Sequence, residues 1–263
     1  MSKLLTMASA ATLAALGASV GAAQDGEATA GLRSYDLAGF EEISVVGPHR
    51  VVVTVGPAFS VRAEGPEQTL ADTTVEVDDG RLEIHPADDD RWERRCGDRD
   101  DDGDDTRWRW RCWDDYQPAT FYVTLPRVDA VALVGGGDMR IDRVEGEAFS
   151  ASLAGSGELD VATLRVDDAR FSIAGSGDLV ARGSARTSRV SIAGSGNLQG
   201  REVTSENASI SIAGSGDVAL TVQDAARVSI VGSGDVQIAG PARCSVSRFG
   251  GGRVRCGGED VSS

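Results

Sequence analysis

Seven stretches of this chain repeat nearly the same phrase at a nearly fixed interval. The clearest are LAGSGEL (residues 153–159), IAGSGDL (173–179), IAGSGNL (192–198), IAGSGDV (212–218) and IVGSGDV (230–236). Degenerate copies stand at either side, GGGD (135–138) and GGGR (250–253). Aligned on the residue after the Gly-x-Gly turn, they place Asp138, Glu158, Asp178, Asn197, Asp217, Asp235 and Arg253 in one file, at intervals of 20, 20, 19, 20, 18 and 18 residues. Self-similarity at such a period marks a solenoid, and atypical end copies are expected of caps.

Each copy reads as strand, turn, strand. Apolar and small polar residues alternate before the turn, as in RVSIAG (189–194), so one face is buried and the other exposed. Leu153, Ile173, Ile192, Ile212 and Ile230 share one register, and Ala151, Phe171, Val190, Ile210 and Val228 share another two residues earlier. The serines between them, Ser152, Ser172, Ser191, Ser211 and Ser229, face outward. After the turn, Leu159, Leu179, Leu198, Val218 and Val236 form a third apolar column. A helix would need apolar spacings of three and four. Twenty residues cannot close a core alone, but stacked coils can, each apolar column continuing into the next coil at about 4.8 Å. The expected fold is all-β: a parallel β-helix-like solenoid of about seven GSGD-type coils, about 34 Å long, preceded by β-strands and hairpins.

Gly-Ser-Gly is then a corner. The glycine pairs Gly155 and Gly157, Gly175 and Gly177, Gly194 and Gly196, Gly214 and Gly216, and Gly232 and Gly234 allow positive φ and close approach between coils. Ser and Asp side chains are expected to bond nearby amides and fix the turn. A second reading makes the carboxylate file a ladder for cations or sugar hydroxyls. Calcium-binding nonapeptide rolls use related turns at about half this period. Asn197 interrupts such a ladder and Arg253 ends it. In the last coil Arg248 falls where the register expects Ile, and Cys244 and Cys256 bracket the corner. A polar, stapled end is what an open stack needs to block edge-to-edge growth.

The front half reads as short β-branched strands bounded by turn residues, with DDG before RLEI as a hairpin turn. Residues 88–116 are different: 12 acidic residues, seven arginines and all four tryptophans, with almost no aliphatic side chain. This is an inserted loop, expected to be closed by Cys96–Cys112. Within it Asp98, Asp100, Asp102 and Asp104, with Gly103, match the start of a calcium loop. Arg109 stands where the bidentate Glu belongs, and Asp105 where an apolar residue is usual. Calcium and a solvated loop are both open readings. Trp92, Trp108, Trp110 and Trp113 are candidate contacts for carbohydrate or a partner surface.

Residues 1–23 read as a signal peptide: Lys3, an apolar run, then the small residues GAA (21–23). The alternative is a membrane anchor. Residues 24–34 are expected to be a flexible lead-in, 35–257 the folded domain, and 258–263 a disordered tail. The mature chain is expected in the periplasm or outside the cell, with no integral membrane span. Lys3 is the only lysine, so cleavage leaves none for Schiff-base chemistry. A net charge of −15 keeps the chain soluble and repels nucleic acid. Four cysteines in an exported chain favour disulfides, Cys96–Cys112 and Cys244–Cys256 as near neighbours. Two histidines, His49 and His85, are too few for most histidine-centred metal sites.

FEEISVVGPHRVVVTVG (40–56), VEVDDGRLEI (75–84), YVTLPRVDAVALVGGGDM (122–139) and the serial GSGDL-like corners together resemble the DUF2807 family, the head GIN domain of auto-transporter adhesins. The resemblance covers about residues 35–257. It implies a right-handed β-helix-like rod of exported bacterial proteins with no established enzyme activity. The acidic Trp/Arg insertion is not part of the family pattern. The expected function is a non-catalytic, adhesin-like module of the cell envelope that binds an envelope protein or a glycan, without a cofactor. The competing reading is a carbohydrate-active enzyme, which needs two positioned carboxylates, or carboxylates with calcium and a basic residue. A calcium-binding structural protein is a further alternative.

Overall fold

The computed structural model describes residues 30–87 and 117–261. The signal-peptide segment lies outside them, as do Cys96, Cys112, Asp98, Asp100, Asp102, Asp104 and the four tryptophans.

The chain winds as the repeat requires. Strands β2 (Glu42–Val46) and β3 (Arg50–Val55) form the first rung. After the front insertions come β8 (Ala130–Gly135), β9 (Asp138–Ile141) and β10 (Val144–Gly155). The long bent strands follow: β11 (Glu158–Gly175), β12 (Asp178–Gly194), β13 (Asn197–Gly214) and β14 (Val218–Gly232). The end is built from β15 (Val236–Ala239), β16 (Arg243–Phe249) and β17 (Val254–Cys256). Seven corners from Gly135 to Gly250 bound about six turns. The expectation of about seven counted corners, and turns are the intervals between them.

Pairing within the stack is parallel and in register. Ala151, Phe171, Val190, Ile210 and Val228 are successive partners, as are Leu153, Ile173, Ile192, Ile212 and Ile230. Leu159, Leu179, Leu198, Val218 and Val236 form the column after the corner. All of these side chains are buried. Each contributes about 1.5–3 kcal/mol of transfer free energy before ordering costs, where it is as large as Val, Leu or Ile. The core also holds one polar contact between rungs, Ser188 Oγ to Ser205 Oγ at 2.6 Å, both residues fully buried. Each hydroxyl satisfies the other, so the pair escapes the cost of an unpaired buried polar group.

Extra chain covers the front rung. Strand β4 (Ser60–Pro66) runs antiparallel to β7 (Thr120–Leu125), which lies parallel to β3. Strands β5 (Thr73–Asp78) and β6 (Arg81–Pro86) form a hairpin, and β6 lies parallel to β2. Its turn holds Asp79 and Gly80, both at positive φ, which is what the DDG motif requires. Helix α1 (Glu67–Ala71) buries Leu70 over this end.

Short strands lie in the described parts of both flanks. Ala30–Tyr35 form β1, antiparallel to β4, and Arg33 Nη1 donates to Leu70 O at 2.8 Å. AGLRSY carries no clear alternation; the open edge of β4 specifies the strand. At the other end Glu259–Asp260 form β18, antiparallel to β17 across Gly257 and Gly258, both at positive φ. The Cys244–Cys256 disulfide is present, joining β16 to β17 with Cα atoms 6.4 Å apart.

Candidate functional site

The corner file is the most regular feature of the molecule, and its geometry starts from glycine. Gly175 has φ of 121°, and a Cβ there would sit 2.5 Å from the carbonyl oxygen of Gly155 one rung earlier. A Cβ on Gly177 would sit 2.5 Å from Gly157 O and 2.7 Å from Leu153 Cδ2. The first glycine is therefore needed for both conformation and space, the second for space. The corner amides point along the stack. Ser176 N and Gly177 N both donate to Gly155 O, at 2.9 and 3.0 Å, and Asp178 N donates to Gly157 O at 3.1 Å. The ladder thus passes through the bend, and its donors are met by the preceding rung. This differs from the expectation that the corner's own Ser and Asp fix each turn.

In the rear half side chains join these backbone bonds. Asn197 Nδ2 donates to Asp178 Oδ1 at 2.8 Å, and Asn197 Oδ1 accepts from Asp217 N at 3.0 Å. Asp217 Oδ1 accepts from Asp235 N, and Asp235 Oδ1 from Arg253 N, each at 2.9 Å. Arg253 Nη2 also donates to Asp235 Oδ2 at 3.0 Å. The Arg253 guanidinium, helped by its backbone N–H, holds the Asp235 carboxyl below the usual carboxylate range. Asn197, which breaks the charge pattern, is the hinge of the file: an amide both donates and accepts, where a carboxylate only accepts.

One corner escapes a reading of the sequence. Gly47 has φ of 127°, and Arg50 pairs with Asp138 in the register of the file. GPHR (47–50) is therefore the first corner, hidden by its wording and by the long insertions before Gly135. Its Arg50 lies 3.7 Å from Asp138. The acidic file thus carries an arginine at each end, Arg50 and Arg253. His49 occupies the position that is glycine in every later corner, and it is 1% exposed. Beneath it lies Ala119, whose N–H donates to His49 Nδ1 at 3.4 Å, and the ring meets Phe121 edge-on at 5.2 Å. Burial lowers its pKa to about 4, so the ring is neutral at pH 7.

Two surfaces flank the file. Before the corner the outer face carries Ser44, Ala132, Ser152, Ser172, Ser191, Ser211, Ser229 and Ser247 as successive partners. Beside them Val46, Val134, Ala154, Ala174, Ala193, Ala213, Val231 and Phe249 form a parallel apolar line. Phe249 is 80% exposed and Val231 57%. After the corner a groove of about 320 Å³ is lined by Arg50, Asp138, Arg140, Glu158 and Asp160. There Arg140 and Arg182 both pair with Asp160, at 3.5 and 2.7 Å. The carboxylates of the rear file are committed to holding rungs together.

Comparison with known proteins agrees with this architecture. A structure from Bacteroides fragilis described as a "putative adhesin" superposes with a TM-score of 0.71 at 18% identity, covering 87% of this chain and 97% of that one. A "putative lipid binding protein" from Parabacteroides distasonis gives 0.62 at 19% identity, covering 86% and 95%. A "putative adhesin" from Parabacteroides merdae gives 0.61 at 16%, covering 86% and 95%. These likenesses concern the fold. No curated protein matches the chain. Among the described residues no helix is long and apolar enough to cross a membrane. The family model described as "Putative auto-transporter adhesin, head GIN domain" matches residues 39–242, and the chain belongs to that family, DUF2807.

Proposed function

We propose that the protein is an exported, non-catalytic module of the cell envelope that binds a protein or glycan partner through the outer face of its stack. The observation that carries this reading is the apolar line ending in exposed Val231 and Phe249, ruled alongside the serine file. An exposed apolar line on a flat sheet is costly to keep in water unless something covers it, and such patches mark interaction sites. Adhesin naming in the family and in structural neighbours supports the same reading. The tryptophans of residues 88–116 are proposed as a second contact element, and Asp98, Asp100, Asp102 and Asp104 as a calcium site.

The enzyme alternative gains no support from the rear file, because Asp178, Asp217 and Asp235 each accept a bond from the next rung. A glycan and envelope-protein binding screen tests the proposal. Phe249→Asp and Val231→Asp together are expected to abolish capture of the hit while leaving the fold intact. Unchanged binding would remove this face from the site. Loss of polysaccharide turnover in Asp178→Asn with Asp217→Asn would favour the enzyme instead.

A further inference from the structure

The two histidines of the chain have opposite environments. His49 is sealed in the first corner. His85 is half-buried on the outer face of β6, where β5 closes the front edge of the sheet. The antiparallel register sets Glu76 opposite Glu83 and Thr74 opposite His85. Glu76 and His85 are thus diagonal neighbours, and the side chains of Glu76, Glu83 and His85 rise from one face of the hairpin. One ligand atom from each lies within 4.8 Å of the other two.

The imidazole is oriented from behind. His85 Nδ1 lies 2.8 Å from the carbonyl oxygen of Pro86, an atom that can only accept. The ring proton is therefore on Nδ1, and Nε2 is the nitrogen turned toward the carboxylates. Nε2 lies 3.3 Å from Glu76 Oε1. In a neutral ring both atoms of that contact are acceptors, so the arrangement calls for positive charge between them: a second ring proton or a metal ion. A backbone carbonyl holding Nδ1–H is also the usual outer support of a metal-binding histidine.

We propose that Glu76, Glu83 and His85 form a site for a borderline divalent transition-metal ion, with Zn²⁺ as the type. One imidazole nitrogen with two carboxylates suits such an ion, whereas calcium and magnesium prefer all-oxygen shells. Four-coordinate zinc holds its ligand atoms about 3.3 Å apart, so the trio must contract, and the exposed Glu76 side chain is free to turn inward. Three protein ligands leave one position for water or for a group on a partner. The ion would tie β5, which among the described residues pairs only with β6, to the body of the sheet. The site differs in donor chemistry and in sequence position from the aspartates of residues 98–104.

Histidine NMR on the full chain reads the site directly, since only two rings contribute. Titration with Zn²⁺ is expected to move Nε2 of His85 and leave His49 unchanged. Calorimetry is expected to show one Zn²⁺ bound per chain at this site. His85→Gln and the pair Glu76→Gln with Glu83→Gln are each expected to weaken it at least tenfold. Asp98→Asn, Asp100→Asn, Asp102→Asn and Asp104→Asn together are expected to leave it intact. Hydrogen exchange in β5 should slow on Zn²⁺ addition while that in β16 does not. No movement at His85, movement at Nδ1, or full-strength binding in His85→Gln would overturn the proposal. The first of these would mean that the Glu76 contact is an imidazolium ion pair only. The NMR result stands on the unmutated chain, so it does not depend on any variant folding.

Discussion

The front and rear ends of the stack are closed by different physical means. At the front, β1, β4, β7 and α1 wrap the first rung, and Phe40, Leu70, Phe121 and Leu125 are fully buried beneath them. Phe40 and Phe59 add a tilted ring contact at 5.1 Å. At the rear, β16 turns Cys244, Val246 and Arg248 inward, but all three are only half-buried because no further rung covers them among the described residues. A disulfide and an arginine do the closing: Cys244 is bonded to Cys256, and Arg248 Nη1 donates to Gly252 O at 2.6 Å. A rod of equal rungs has no natural end. One end is finished by burying it, the other by making its last rung a poor template, since an inward-pointing charge disfavours docking of a further strand.

The body between the ends should be the least tolerant region, because a rung cannot shift without its neighbours. Gly175→Val is expected to destabilise by more than about 4 kcal/mol, enough to abolish cooperative folding, since the added Cβ meets backbone and not a movable side chain. Gly39 also has positive φ but has nothing within 4 Å of a Cβ. Gly39→Ala is expected to cost about 1 kcal/mol, close to conformational strain alone. Urea denaturation of both separates space from conformation. Similar losses in the two would mean that the corner contacts are not what makes the file invariant.

Between the ends themselves the contrast is next largest. Phe121→Ala removes a fully buried ring from the front cap and is expected to cost about 3–5 kcal/mol. Val246→Ala, half-buried at the rear, is expected to cost less than about 1 kcal/mol. Equal midpoints for the two variants would show that the rear is as well packed as the front.

Acid sharpens the same contrast through His49. Its folded pKa of about 4 lies below the ordinary 6.5, so the unfolded chain binds this proton more readily than the native one. The stability this residue lends is complete above pH 6.5 and is lost as pH falls from 6.5 toward 4. The loss approaches about 3 kcal/mol, at 1.36 kcal/mol per pKa unit. The wild type minus His49→Gln difference, followed by thermal unfolding against pH, should carry this slope. A flat difference would mean that the ring takes up its proton as readily in the folded chain as in the unfolded one.

The rear staple should behave as a local device. Cys244→Ser with Cys256→Ser removes a cross-link across 12 residues, worth up to about 3 kcal/mol if the rung unfolds with the whole. Contacts in a solenoid are between neighbours, so the expected outcome is fraying of β16 to β18 with the other rungs still protected. Hydrogen exchange checks this. Uniform loss of protection would show that the end controls the stack.

The body was legible in the sequence and the ends were less so, for a physical reason. In the body each rung makes the same demand, so the columns through Ile173 and Leu179 are written five times over and the noise cancels. The front is written once. GPHR could not be seen as a corner because His49 needs no glycine where Ala119 leaves room below it. Strand β1 could not be seen because its pairing partner, not its own pattern, specifies it. Arg248 and the Cys244–Cys256 bridge were readable because they break a register that the repeats had established. The direction of the corner bonds was not readable. Ser and Asp bond their own turns in isolated loops, and only the presence of a rung 20 residues earlier redirects the amides.

The mildest variant tests that redirection at the hinge of the file. Asn197 donates to Asp178 and accepts from Asp217 N, so it passes the rung-to-rung bonding on without adding charge. Asn197→Asp keeps the acceptor but replaces the donor with a second carboxylate oxygen, facing Asp178 Oδ1 across the 2.8 Å that the hydrogen bond now spans. The expected cost is about 1 kcal/mol at neutral pH and low salt, one modest hydrogen bond exchanged for a partly screened repulsion. Its salt dependence is the informative part. Added salt should recover part of the loss in Asn197→Asp and none in Asn197→Ala, which removes the bonds without adding charge. Equal salt responses in the two would mean that repulsion from Asp178 plays no part in the choice of asparagine at this rung.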